Sequence, residues 1–316
     1  MNTKTACVFA MITILSSLAL SAADEKKPAQ PAKKDPKVES IWPNWGYDLP
    51  DRKHKIIGQH QHKYAVQHDR PSIQVFRPEG KPENRPAVLI FPGGGYQILC
   101  DSYEGKLIAK FLNERGIVGV IVRYRTAPYN HPVELNDARR AYRFVRANAV
   151  KYGIDPKKIG VIGFSAGGHL AGTLMTALDA GDATSEDAVQ REPIDIAFGA
   201  LIYPVVTMQD KVTHRGSCQN LLGKEPTQEQ KDEVSVELRV NQDTPPTFVA
   251  HSAKDNAVPV ENSRRFVAAM KKFNRPVEYL ELPEGDHGLG CGKGPQWEAW
   301  ITAYGAWLDK NGYSVK

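Results

Sequence analysis

The sequence predicts an α/β protein, with a mostly parallel central sheet and helices on both of its faces. Two observations carry this. Strand-length runs alternate along the chain with stretches of helical spacing, and the strand runs are continuously apolar rather than alternating. Strands that read this way are buried on both faces, and the alternation implies parallel crossover connections. A third observation sets the domain count: past the N-terminal region there is no internal repeat and no second break in composition, so one domain is expected over residues 46–316. The 316 residues are 41% hydrophobic and 24% charged, ordinary for a globular chain. The formal charge of +5 is too modest and too dispersed to point to nucleic acid.

The elements justify themselves in order. Lys4 precedes residues 7–20, which carry no charge, and the small residues Ser21, Ala22 and Ala23 follow. That is the pattern of a secretory signal over residues 1–23, and the apolar run is short for a membrane span, which needs about 20 residues. A secreted or periplasmic protein is expected, with no membrane contact after cleavage. Residues 24–45 mix Lys with Pro28, Pro31, Pro36 and acids and read as a solvated linker. Residues 42–64 are aromatic and polar without a clear period, expected as an extension lying on the domain. Strands follow at 72–77, 87–91, 117–122, 158–162, 196–203, 248–251 and 277–280. Helices are expected at 103–115, 133–152, 166–178, 260–273 and 295–308. Residues 205–244 interrupt this rhythm. They are polar, with Leu221-Leu222-Gly223 and an acidic helix at 228–238, and read either as a surface excursion or as a small cap over a site.

The chemistry starts at Gly163-Phe164-Ser165-Ala166-Gly167, between the expected strand 158–162 and helix 166–178. A serine hydroxyl needs a base and an exposed position to act as a nucleophile. The G-x-S-x-G elbow of α/β-hydrolases supplies that position on a tight strand-to-helix turn, where side chains at the glycines would collide with neighbouring elements. An oxyanion needs backbone donors. Ala166 is one candidate, and Gly94 and Gly95 of Pro92-Gly93-Gly94-Gly95-Tyr96 are the others, directly after strand 87–91. Where the common motif has His-Gly-Gly-Gly, this chain has Pro92, so support for the loop must come from elsewhere.

The base and its acid should follow in the order serine, acid, histidine. Asp255 lies beyond strand 248–251 and His287 beyond strand 277–280, both at carboxyl ends of strands, where open α/β sheets place their sites. Asp286 adjoins His287, but an extended loop turns its side chain away; Glu261 and Glu284 rank below it. His169 and His251 are expected to pack, and His131 and His214 sit in loops without a suitably placed acid. The run Gly288–Gly294 superficially suggests a phosphate loop and is read instead as the flexible end of the histidine loop. Removal of Cys7 with the signal leaves Cys100, Cys218 and Cys291, enough for at most one disulfide. They lack metal-ligand spacing and read as packing residues.

These motifs, taken in order, resemble the acetylxylan-esterase-like and feruloyl-esterase-like group of secreted α/β-hydrolase esterases. The resemblance runs from about Ala87 to Gly290. Besides the glycine loop and elbow it includes Val122-Arg123-Tyr124-Arg125, Glu134-Leu135-Asn136-Asp137-Ala138-Arg139-Arg140-Ala141, Asn220-Leu221-Leu222-Gly223, Thr244-Pro245-Pro246-Thr247-Phe248 and His287-Gly288. It implies a Ser165–Asp255–His287 triad, no metal or organic cofactor, and removal of short acyl groups from carbohydrate or other small esters. The group is related to prolyl-oligopeptidase-type hydrolases, whose propeller cannot fit in roughly 50 residues when one blade needs about 40–45. A peptidase acting on short peptides and a non-catalytic carbohydrate-binding protein are the alternative expectations.

Overall fold

The computed structural model describes residues 35–42, 70–80, 83–209 and 211–315. The expected signal (1–23), the first part of the linker and the expected extension beyond Trp42 lie outside the described residues.

Eight strands form one sheet in the order β1-β2-β4-β3-β5-β6-β7-β8. They are β1 (Val38–Ser40), β2 (Ser72–Phe76), β3 (Arg85–Phe91), β4 (Val118–Arg123), β5 (Ile154–Phe164), β6 (Gly199–Ile202), β7 (Thr247–Ser252) and β8 (Val277–Leu282). From β4 across to β8 every pair is parallel, while β1–β2 and β2–β4 are antiparallel. The helices are α1 (Leu107–Asn113), entered through a π-helical turn at Ser102–Lys106, then α2 (Val133–Ala147), α3 (Ala149–Tyr152), α4 (Ser165–Met175), α5 (Arg215–Leu222), α6 (Gln228–Val234), α7 (Glu261–Lys272) and α8 (Gly294–Lys310).

Strand alternation divides the core in two. On β3, Ala87, Leu89 and Phe91 face a cluster built with α2, α4 and α7, through residues such as Ala141, Leu174 and Phe266. Val88 and Ile90 face the other cluster, which holds Ile108 and Leu112 of α1 and Trp300, Tyr304 and Trp307 of α8. Both faces of the strand are therefore apolar, which is why the sequence shows an unbroken run there.

Four expectations need correction. The sheet begins before residue 46: β1 lies in the segment read as linker, with Val38 opposite Gln74. Arg140 Nε donates to the Ile41 carbonyl at 2.7 Å, and Ile41 is buried. Three strand residues among lysines and prolines are too few to show a period. The single expected helix at 133–152 is two helices, because Asn148 leaves helical geometry (φ −103°, ψ 19°) and its side chain donates to the Phe144 carbonyl at 2.8 Å. The glycine run after His287 leads straight into α8 and is anchored near its start by fully buried Leu289. No disulfide joins the three described cysteines, and Cys291 is exposed rather than packed.

Residues 205–244 are no surface excursion. Val205, Val206, Met208, Leu221, Val234 and Val236 are buried in the larger cluster. The amides of Val206 and Thr207 donate to Asn262 Oδ1 at 2.9 and 3.1 Å, tying the segment to α7.

Candidate active site

Strand β5 ends at Phe164 and helix α4 begins at Ser165, whose φ of 52° puts a non-glycine residue in the left-handed region. The flanking glycines are a packing requirement. A Cβ on Gly163 would stand 2.3 Å from the Gly167 carbonyl oxygen, and one on Gly167 would stand 2.2 Å from that of Phe91. The turn holds the Ser165 hydroxyl over the carboxyl edge of the sheet.

Parallel β7 and β8 bring their following loops to the same edge. His287 Nε2 lies 2.9 Å from Ser165 Oγ, and His287 Nδ1 lies 2.7 Å from Asp255 Oδ2. The other Asp255 oxygen accepts the amides of Ala257 and Val258 at 2.9 and 2.8 Å. Burial is the largest influence on this carboxyl and pushes its pKa up. Hydrogen bonds from His251 and His287, the His287 charge and the Val258 amide outweigh it and hold the group well below the usual carboxylate range. An ionised Asp255 keeps the proton on His287 Nδ1, leaving Nε2 to accept from the serine hydroxyl.

His251, expected only to pack, is a second donor to Asp255. Its Nε2 faces two acceptors, Asp255 Oδ2 at 3.1 Å and the Val258 carbonyl at 3.0 Å, so it carries the proton. Its Nδ1 then accepts from the Ser263 hydroxyl at 2.8 Å. The available signal was the four-residue spacing of His251 and Asp255 at a strand end. Asp286 is exposed, and no described side-chain bond turns it toward His287.

The loop after β3 presents the expected amides. Among the described residues, neither Gly94 nor Gly95 donates its N–H to a protein acceptor. Ala166 lies in the first turn of α4, where amides have no intrahelical acceptor. Gly94 has φ 132°, and a Cβ there would sit 2.2 Å from the Ile98 carbonyl oxygen, so only glycine fits.

The support that a histidine at position 92 would give comes from several other residues. The Tyr124 hydroxyl donates to the Pro92 carbonyl at 2.6 Å, and Asn220 Nδ2 to the Gly95 carbonyl at 2.8 Å. The Tyr96 hydroxyl lies 2.7 Å from His169 Nδ1, and His169 Nε2 lies 2.7 Å from the Val234 carbonyl. Since Nε2 must donate to that carbonyl, Nδ1 accepts from Tyr96. Burial, the main cause, lowers His169 to about 4, which keeps the ring neutral in this role. The flanking motifs brace the same region: Arg123 pairs with Asp101 at 2.6 Å and Arg125 with Asp137 at 2.6 Å.

Glu104 was not singled out in the sequence, yet it sits behind the nucleophile. One oxygen accepts the Gly93 amide at 2.6 Å and the other the Tyr203 hydroxyl at 3.0 Å. Tyr203 in turn meets the His287 ring edge-on with centroids 5.0 Å apart. Glu104 thus links the glycine loop to the histidine. Burial raises its carboxyl to about 7, against the opposing pull of Gly93 and Tyr203.

A cavity of about 350 Å³ opens on this constellation, lined by Ser165, His287, Gly94, Gly95, His214 and Asn220 among others. Residues 205–244 therefore supply part of its wall. Among the described residues no group of three or more His, Cys, Asp and Glu side chains is placed to hold a metal ion.

Comparison with known proteins bears on this geometry. The BD-FAE family matches residues 73–270. The chain is 38% identical over 222 residues to endo-1,4-beta-xylanase B of Butyrivibrio fibrisolvens, covering 68% of this chain and 34% of that protein. It is 33% identical over 223 residues to an acetylxylan esterase of Xylanibacter ruminicola, covering 69% and 43%. It thus spans less than half the length of either relative. A solved acetyl ester-xyloside bifunctional hydrolase from Caldicellulosiruptor lactoaceticus superposes with a TM-score of 0.79 at 34% identity, over 89% of this chain and 98% of that one.

Proposed function

The chain belongs to the BD-FAE family of α/β-hydrolases, and on that premise we propose that it is a serine esterase that removes acetyl or similarly short acyl groups from carbohydrate esters. The observation that carries this is the unbroken hydrogen-bond path Ser165–His287–Asp255, with the Gly94, Gly95 and Ala166 amides beside it. Ser165 Oγ attacks the ester carbonyl while His287 Nε2 takes its proton, and the oxygen of the tetrahedral species draws on the three amides. His287 returns the proton to the departing alcohol oxygen as the C–O bond breaks, leaving an acylated Ser165. Water, deprotonated by His287, then releases the acid and restores the serine. Asp255 orients His287 and stabilises its charged form throughout.

The substrate class draws support from two relatives, which carry acetylxylan esterase and acetyl ester-xyloside bifunctional hydrolase in their names. Export from the cytoplasm fits residues 4–23 and would bring the enzyme to where polysaccharide is met; recovery of the enzyme in periplasm or medium checks it.

Acetate release from acetylated xylan, measured beside hydrolysis of aminoacyl 4-nitroanilides, tests the activity. Acetate release without amide hydrolysis is expected, and Ser165→Ala should reduce it at least about 10³-fold. Amide hydrolysis in preference to acetate release, or full activity in Ser165→Ala, would overturn the proposal.

A further inference from the structure

His214 is the N-cap of α5 and lines the cavity that holds Ser165 and His287. Its protonation pattern follows from its neighbours. The Ser217 backbone amide donates to His214 Nδ1 at 3.2 Å, and the Ser217 hydroxyl lies 2.8 Å from the same nitrogen. A backbone N–H can only donate, so Nδ1 is an acceptor and the ring proton sits on Nε2. Burial, then the charge of nearby His287, hold His214 below the ordinary histidine range, which keeps Nδ1 available to the cap. Among the described residues Nε2 has no protein partner. The ring stands by the glycine loop, with Cε1 3.9 Å from where a Cβ of Gly95 would be.

His214 lines the cavity with this N–H unpaired by any described protein group, and a donor held there needs an acceptor once substrate displaces water. An acetyl group has only its carbonyl oxygen, which the proposed mechanism assigns to the Gly94, Gly95 and Ala166 amides. The acceptor must come from the alcohol half of the ester. A simple alkyl or aryl alcohol has no second oxygen to offer, whereas a sugar carries hydroxyls beside the esterified one.

We infer that His214 recognises the sugar half of the substrate, its Nε2–H donating to a hydroxyl oxygen next to the scissile ester, and so selects carbohydrate esters over simple ones. This rests on the esterase reading above and adds a specificity residue to it. A site that hydrogen-bonds a substrate hydroxyl rejects an analogue lacking it, because the protein group is then left unpaired.

The variant that tests this is His214→Asn. Asparagine is a good N-cap and can still accept the Ser217 amide, but it cannot place a donor where Nε2 stood. For an acetylated xylo-oligosaccharide, kcat/KM should fall about 10- to 100-fold, the range expected for an unpaired polar group. For 4-nitrophenyl acetate it should change less than about threefold. Wild-type enzyme should also lose about the same factor on the acetyl ester of a tetrahydropyran alcohol without free hydroxyls, and His214→Asn should add no further loss on that ester. That substrate-side comparison stands even if the variant does not fold. Parallel loss on both ester types, no loss on either, or indifference of the wild type to the missing hydroxyls would overturn the role of His214 and leave the esterase reading intact. Wild-type inactivity on every carbohydrate acetate, with activity on 4-nitrophenyl acetate, would overturn the role of His214 and the substrate class together.

Discussion

At the scale of single residues, Asp255 is the most heavily bonded group of the site. It accepts from two ring nitrogens and two backbone amides while fully buried. The orienting role proposed for it predicts that Asp255→Asn lowers kcat about 10³- to 10⁴-fold with little change in KM, since an amide there favours the wrong His287 tautomer. Steady-state kinetics on one acetyl ester at pH 7 checks this. Glu134 supplies a different kind of test. It is fully buried, and no other described residue hydrogen-bonds either of its oxygens. Burial raises its pKa to about 7 from 4.5, so between these values the folded protein holds a proton that the unfolded chain has lost. Stability therefore falls as pH rises through that window. At about 1.4 kcal/mol per pKa unit the loss attributable to Glu134 is up to about 3 kcal/mol. Glu134→Gln should flatten the decline measured by urea unfolding at pH 5 and pH 8, and an unchanged decline would contradict this origin. Ser165, His287 and Asp255 were legible in the sequence because strand ends announce them in a required order. Glu104 was not, because its partner is set by tertiary contact: it meets Tyr203 across 99 positions of sequence. His251 and His214 have partners four and three positions on, Asp255 and Ser217, but such a short spacing is common and marks no role by itself.

At the scale of elements, the elbow is held by the closeness of three pieces of backbone. The Gly167 site touches the carbonyl oxygens of both Phe91 and Pro92, so α4, the end of β3 and the glycine loop meet at one point. Gly167→Ala would place a Cβ 2.2 Å from the Phe91 oxygen. A shift to relieve it should cost about 2 kcal/mol or more and lower Tm by about 5 °C. The same shift would displace the loop amides, so activity should fall further than stability alone explains; unchanged Tm and activity would show that the contact is slack. Long, doubly buried strands such as β3 and the amphipathic α7 were readable because their pattern spans several turns or pleats. Three-residue β1 was not, since it depends on what the chain meets after folding, and the break at Asn148 rests on one local side-chain bond that an apolar pattern does not show. The segment 205–244 was ambiguous for a related reason. Its polar composition reflects exposed sides of α5 and α6, while Val205, Val206 and Met208 reach the core from irregular backbone that has no period.

At the scale of the whole molecule, the parallel sheet collects at one edge four loops that are far apart in sequence: those after β3, β5, β7 and β8. Sequence order could say that these loops share an edge, because right-handed parallel crossovers leave little choice. It could not say that α5 closes a wall of the cavity, since nothing in a polar insertion fixes where it docks. That assembled edge accounts for the layout of the site without recourse to any single motif, and it makes Ser165, the proposed nucleophile, the side chain on which these loops converge. The most direct test is covalent labelling of the whole protein with a fluorophosphonate probe, followed by mass analysis of the intact chain and of its peptides. One adduct per chain, carried by Ser165 and lost in Ser165→Ala, is the predicted result, with labelling strongly slowed in His287→Ala. Absence of an adduct on Ser165 in an enzyme that still hydrolyses esters would contradict the account at its centre.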